Sequence, residues 1–128
     1  MKVLDERSAD MLKYEEPKPI SKEAVQKALS GSDEGTACEA LVRAACTSND
    51  RQWVEATLVS ALSDGRVAVR KAALVALGDL VRVHHRIDLN VVIPLLGNFL
   101  RDPVLYGTAT DTLAEIATFF TQEKSQAP

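Results

Sequence analysis

The chain has 128 residues, of which 46% are hydrophobic, 26% charged and only 5% aromatic. This length fits one domain, and the abundance of Ala, Leu and Val with so few aromatic residues favours closely packed helices over a β-sandwich. The formal net charge of −3 argues against a dedicated nucleic-acid binder, because such a domain normally carries a basic face.

Residues 1–20 have the least regular pattern, and we expect an N-terminal extension or linker there. Pro17 and Pro19 resist helix formation, although the apolar residues before them could form a short amphipathic helix. The N-terminus lacks the apolar stretch of a signal peptide, and no apolar run reaches the roughly 18 residues of a membrane span. We therefore expect a cytoplasmic protein that makes no membrane contact.

Residues 21–121 show helical spacing of apolar residues throughout and predict one all-α repeat domain, followed by a frayed polar tail over 122–128. Ser21, Asp64 and Asp102 are expected to cap helices. Pro94 falls inside the fifth helix and predicts either a late start or a kink. The six predicted helices, with their capping residues, cover about 21–30, 34–46, 51–63, 64–84, 88–100 and 102–120.

The helices come in pairs, and the second helices of the pairs repeat at a spacing of 36 residues. The repeated positions are Ala37/Ala73/Ala109, Leu41/Leu77/Leu113 and Ala44/Leu80/Ile116. In the first helices, Leu58 and Leu96 correspond at a spacing of 38. A period of this size in pure helix predicts a right-handed α-solenoid of about three helix pairs.

The central repeat carries a recognisable pattern, because residues 64–80 read DGRVAVRKAALVALGDL. This stretch resembles the second helix of a HEAT repeat, particularly of the phycobilisome-lyase type, whose pattern is Asp, a few residues, Val-Arg, Ala-Ala, Ala-Leu-Gly and Leu. The resemblance implies that Asp64 caps the helix, that Gly78 permits close packing and that Arg70 pairs with a capping aspartate or with backbone carbonyls of an adjacent repeat.

The outer repeats match that pattern less well. Tyr106 stands where the central repeat has Arg70, and Asp33-Glu34 replaces the Val-Arg pair in the first repeat. Degraded outer repeats are expected, because terminal repeats act as caps. The resemblance covers about residues 21–120, and it indicates an architecture more than an activity.

Candidate catalytic or metal-binding groups are few. His84 and His85 could form a metal or acid–base site, but adjacent helical residues point about 100° apart, so we interpret them as a helix C-terminus. Cys38 and Cys46 would lie about 12 Å apart on one helix, too far for a disulfide, and are expected to be reduced and buried. We expect neither an enzyme nor a cofactor or metal site.

Two further features have alternative interpretations. The stretch 66–86 carries several basic residues that could contact phosphates or an acidic protein, but we expect Arg70 to be structural and the others, including Arg66 and Arg82, to be solvated. Trp53 is expected to pack in the core, with a partner-binding anchor as the alternative.

In HEAT solenoids the second helices line the concave surface, so the repeat register predicts a binding face on the second, fourth and sixth helices. Its charge alternates in sign, which suits a protein partner better than a nucleic-acid backbone. The predicted partner-binding residues are Glu39, Lys71, Val75, Arg82, His85, Asp111 and Thr118.

An acidic, helical chain of this size without catalytic groups also resembles the small immunity proteins with which bacteria neutralise toxins. The leading hypothesis is therefore a non-enzymatic protein-binding module of this immunity or antitoxin kind, with a toxin domain as partner. The alternatives are a HEAT-repeat adaptor or assembly factor, or a lyase-like or nucleic-acid-binding HEAT protein.

Overall fold

A computed structural model describes residues 16–126, with side chains up to residue 120. Over this range the chain forms six helices and no strand, which confirms the predicted all-α class. The short helix predicted before the prolines lies outside the described residues. The helices are α1 (Lys22–Ser30), α2 (Glu34–Thr47), α3 (Arg51–Ala61), α4 (Val67–His84), α5 (Leu89–Phe99) and α6 (Tyr106–Gln126).

Several helices begin where the sequence places a capping side chain. The Ser21 hydroxyl accepts a hydrogen bond from the Ala24 N–H at 3.1 Å, and the Asp50 carboxylate accepts one from the Trp53 N–H at 3.1 Å. The Asp102 carboxylate accepts from the Leu105 N–H at 3.1 Å, just ahead of α6. Each bond satisfies an amide that has no partner inside its helix.

The predicted cap at Asp64 is wrong. A turn follows α3, in which the Asp64 N–H bonds the Ala61 carbonyl at 3.1 Å, so α4 begins only at Val67 with Arg66 in the N-cap position. The Asp64 carboxylate instead accepts bonds from the main-chain N–H and the Nε of Arg66, each at 2.9 Å. Asp64 thus orders the loop before α4 rather than the helix itself.

The last two helices also refine the prediction. α5 begins at Leu89, directly after the capping Asp88, and Pro94 lies within it, so the helix does not start late. α6 continues to Gln126, beyond the end predicted near residue 120. The polar residues there tolerate helix, because no Gly or Pro interrupts the chain between residues 121 and 127.

The second helices of the predicted pairs form a row. α2 packs most extensively on α4, and α4 on α6, while α1, α3 and α5 pack on α2, α4 and α6 in turn. Ala37, Ala73 and Ala109 are fully buried, as the repeat register predicts, and their small side chains allow close helix approach. Leu77, fully buried at the centre, contributes about 1.5–3 kcal/mol through burial alone.

Polar contacts also join neighbouring pairs. The Arg66 guanidinium donates to the carbonyls of Gly31 and Leu29, both at 2.8 Å, and the buried Thr112 hydroxyl donates to the Leu74 carbonyl at 2.8 Å. Arg66, which we expected to be solvated, is therefore the side chain that ties the α3–α4 loop to the end of α1.

Two expectations drawn from the HEAT resemblance need adjustment. Arg70 bonds a backbone carbonyl, but this is the carbonyl of Asp64 in its own repeat, at 2.7 Å. A Cβ placed on Gly78 would lie 3.7 Å from the Glu115 Cγ, an ordinary van der Waals contact. The packing of α4 on α6 therefore leaves room for alanine at position 78.

Candidate protein-binding face

All seven residues predicted to contact a partner are solvent-exposed. They lie on the row formed by α2, α4 and α6, or in the turn that follows α4. α4 packs between α2 and α6, and the structure brings Glu39, Lys71, Val75 and Asp111 together along the concavities between these helices, whereas Arg82, His85 and Thr118 line neither concavity. We call the exposed surface of these three helices and of the turn after α4 the α2–α4–α6 face; the seven predicted residues on it are Glu39, Lys71, Val75, Arg82, His85, Asp111 and Thr118.

A groove of about 730 Å³ runs between α2 and α4, and we call it the α2–α4 groove. Apolar side chains contribute much of its lining, with Val42 on α2 and Ala72 and Val75 on α4. The charged residues of the lining are three cations, Lys18, Arg43 and Lys71, and two carboxylates, Glu16 and Glu39. Concave apolar surfaces with a few polar groups are typical of binding sites.

The segment before α1 forms a further wall of this groove, through Glu16, Pro17 and Lys18. Arg43 on α2 holds it in place, since its guanidinium donates to the carbonyl of Lys18 at 2.9 Å and to that of Pro19 at 2.7 Å. This role of Arg43 could not be predicted from the sequence, because nothing local signals a contact between residues so far apart in the chain.

A second concavity of about 410 Å³ lies between α4 and α6, and we call it the α4–α6 groove. Lys71 and Val75 line both grooves, so the two are continuous across α4. Three carboxylates, those of Asp79, Asp111 and Glu115, line the second groove against the single cation Lys71. The charge of the lining residues therefore changes from slightly positive in the α2–α4 groove to net negative in the α4–α6 groove.

Asp79 on α4 has a raised pKa. Burial raises its pKa, and the charge of Glu115 adds to the rise, whereas Arg82 opposes it. Arg82 donates to Asp79 at 2.7 Å, so both charges are partly compensated. Arg82, which we expected to be solvated, is exposed but is also engaged in this ion pair.

The two cysteines are free, as their spacing on one helix predicts, but both are only partly buried, whereas we expected them to be buried. The Cys38 thiol donates to the Ala68 carbonyl at 3.3 Å beneath the α2–α4 groove. Burial raises the pKa of both Cys38 and Cys46. Since the thiolate is the reactive form, neither thiol is activated for nucleophilic chemistry.

The histidines end α4, as predicted. His84 is its last residue, and His85 follows in the left-handed conformation with φ of 57°. The His85 ring lies 4.5 Å from the ring of Phe119 on α6, so this predicted partner-binding residue also packs internally. No group of three His, Cys, Asp or Glu residues that could hold a metal ion occurs within the described part of the chain.

Trp53 is partly buried and packs against the core on α3. The Lys22 ammonium lies 5.3 Å from the centre of its ring, within reach of a cation–π contact, and 2.6 Å from the Asp50 carboxylate. Trp53 therefore joins α3 to α1, which is the packing role that we expected for it.

No helix in residues 16–126 is both long and apolar enough to cross a membrane. Searches of protein-family models, of curated proteins and of solved structures found no match to this chain. The interpretation of the α2–α4–α6 face therefore depends on its own geometry and charge.

Proposed function

We propose that this chain is a non-enzymatic protein-binding module, built as a right-handed solenoid of three HEAT-like helix pairs, that holds a partner protein on its α2–α4–α6 face. The observation that carries the proposal is the pair of continuous grooves across α4, with apolar side chains between charges of both signs. Such a surface offers both the dry contact area and the polar groups that protein partners use.

The order of helix contacts supports the solenoid part of this proposal. Each second helix packs on the next second helix, and each first helix packs on its own partner. Ala37, Ala73 and Ala109 are buried alike, so equivalent positions perform equivalent packing roles. This is the behaviour of stacked repeats, in which each unit contacts mainly its neighbours.

The charges on the face favour a protein over a nucleic acid. Lys71 is flanked by Glu39 in one groove and by Asp111 and Glu115 in the other. A phosphate backbone would need continuous positive charge, and these carboxylates would repel it. A partner that presents apolar side chains together with basic groups would match the surface.

The most specific form of the proposal is an immunity or antitoxin role in the cytoplasm, in which the face covers and blocks a toxin domain. The features that support it are the small acidic chain and the two continuous grooves on the α2–α4–α6 face. A tight, stoichiometric inhibitor needs a rigid surface, because ordering a flexible one on binding costs affinity.

Site-specific photo-crosslinking tests the location of the binding face. A photoreactive amino acid replaces Val75 on the face or, as a matched control, Val91 on α5; both valines are 43% exposed. In the source cell, we expect position 75 to trap one defined protein and position 91 to trap none of it. Equal trapping at both positions, or none at position 75, would contradict the proposed face.

Co-expression then tests the immunity role. The protein trapped at position 75 is produced in a host cell with and without this chain, and growth is measured. We expect toxicity that the native chain relieves and that Val75→Glu, which places a charge among the apolar side chains of both grooves, fails to relieve. A trapped protein that is harmless on its own would contradict immunity and favour the adaptor or assembly role.

A further inference from the structure

The described part of the chain begins in the wall of the α2–α4 groove. Its first three residues, Glu16, Pro17 and Lys18, line this groove together with side chains of α2 and α4. Residues 1–15 precede them and lie outside the described range. The junction at which residues 1–15 join the described chain is therefore at the groove itself.

Arg43 of α2 fixes this junction. Its guanidinium donates to the Lys18 carbonyl at 2.9 Å and to the Pro19 carbonyl at 2.7 Å. Hydrogen bonds from a charged donor are roughly twice as strong as those between neutral groups. Pro17 and Pro19 stiffen the same stretch, because proline fixes its own φ and restricts the residue before it. The junction is thus held against α2, beside the groove.

Residues 1–15 are apolar close to this junction. Met11, Leu12 and Tyr14 all lie within five residues of the first described residue. The groove presents apolar side chains to them, among which Val42 is partly buried and Val75 is 43% exposed. Contact between the two sets would remove apolar surface from water, which is the main favourable contribution to association.

The charges of the two surfaces are also complementary. The groove lining has a net charge of +1, which is the sum of three cations and two carboxylates: Lys18, Arg43, Lys71, Glu16 and Glu39. Residues 8–15 have a net charge of −1, which is the sum of Asp10, Glu15 and Lys13. The part of the chain closest to the junction therefore has a net charge opposite in sign to that of the lining.

The length of residues 1–15 suits the size of the groove. Fifteen extended residues span at most about 50 Å, whereas packed helices such as α2 and α4 lie about 8–10 Å apart. The groove volume of about 730 Å³ falls in the range that encloses a drug-sized ligand. Residues 1–15 can therefore reach every part of the groove, and the groove can hold a few of their side chains.

We propose that residues 1–15 bind in the α2–α4 groove of their own chain, with Met11 and Leu12 against Val42 and Val75, and that a partner gains the groove by displacing them. This inference rests on the proposed function, since it concerns access to the face on which we place the partner. Tethered groups reach effective concentrations on the order of millimolar. An intrinsic dissociation constant of about 0.1 mM would thus fill the groove in about 90% of chains and weaken partner binding about tenfold.

Photo-methionine tests the proposal without any substitution, because the two methionines of the chain, Met1 and Met11, both belong to residues 1–15. The full chain is produced with photo-methionine, purified, illuminated at low concentration and digested with trypsin. We expect Met11 to cross-link to the peptides 28–43 and 72–82, which carry Val42 and Val75, and not to the peptide 87–101 of α5. In an equal mixture of heavy-isotope and light-isotope chains, each cross-link should join peptides of the same isotope.

Two variants of the full chain separate apolar contact from mere proximity. Leu12→Asn should lower cross-linking to the groove peptides about fivefold, since it removes a large apolar side chain from the contact. The matched control Ser8→Asn introduces the same side chain without removing an apolar one, and it should cross-link like the native chain. Circular dichroism establishes that both variants fold.

Three results would each overturn the inference: cross-linking to the α5 peptide that equals cross-linking to the groove peptides, cross-links that join heavy and light chains as often as like chains, or an unchanged yield in Leu12→Asn. None of these measurements involves the partner. If position 75 traps a protein in the source cell while Met11 does not cross-link to the groove, the proposed function stands and this inference alone fails.

Discussion

Truncation of three leucines to alanine should destabilise the fold in proportion to how deeply each leucine is buried. Leu77 lies in the middle of α4 with no exposed surface, and its neighbours come from helices on both sides, so the cavity cannot close easily. We expect Leu77→Ala to lower the free energy of unfolding by about 3–5 kcal/mol. Leu113, its counterpart on α6, is only partly buried, so Leu113→Ala should cost about 1–2 kcal/mol. Leu100 is exposed, so Leu100→Ala should lower the free energy of unfolding by less than about 1 kcal/mol.

Urea denaturation, followed by circular dichroism and by the fluorescence of the single tryptophan, measures this series. Coincident transitions from the two probes would establish that the stack unfolds cooperatively. Two results would refute the interpretation that α4 is the central element of the stack. One is an equal loss of unfolding free energy in Leu113→Ala and Leu77→Ala, and the other is a loss below about 1.5 kcal/mol in Leu77→Ala.

Three further predictions address individual contacts. The hydrogen bonds from Arg66 lower the pKa of Asp64 from its ordinary value of 3.8 to about 2, so this pair should stabilise the fold fully above pH 3.8 and lose its effect as the pH falls through 2. Acid unfolding of Asp64→Asn checks this, and an acid profile unchanged from that of the native chain would contradict it. Burial raises the pKa of Cys38, so iodoacetamide should modify it more slowly in the native chain than in urea, and equal rates would contradict this. Thr112→Val removes a buried bond to a main-chain carbonyl of α4 and should cost about 1 kcal/mol in urea unfolding, whereas the exposed control Thr110→Val should cost less than half of that.

The helices and their core faces could be predicted because both are encoded locally. Capping residues such as Ser21 and Asp102 lie within three residues of the amides that they satisfy. Burial of Ala37, Ala73 and Ala109 follows from the helical period, which the sequence displays directly. Surface positions on α2, α4 and α6 could be predicted for the same reason, because they lie opposite these core residues.

What the sequence did not reveal depends on contacts between distant residues. Arg66 binds carbonyls 35 and 37 positions earlier, and Arg43 binds carbonyls 25 and 24 positions earlier. Neither residue differs locally from a solvated arginine. Asp64 was assigned to the wrong role, because a turn after α3 shifts the helix start by two residues, and turn geometry is weakly encoded.

The central claim is that a protein partner occupies the α2–α4–α6 face, and the affinity of that partner for two variants tests it most directly. Isothermal titration calorimetry compares two variants. Lys71→Glu reverses the charge of the one cation that lines both grooves, and the control Val91→Glu changes a residue of α5 that lines neither groove. We predict that Lys71→Glu changes the dissociation constant by about tenfold or more, equivalent to about 1.4 kcal/mol, and that Val91→Glu leaves it unchanged. A partner that binds Lys71→Glu like the native chain, or that loses affinity for Val91→Glu instead, would contradict the claim.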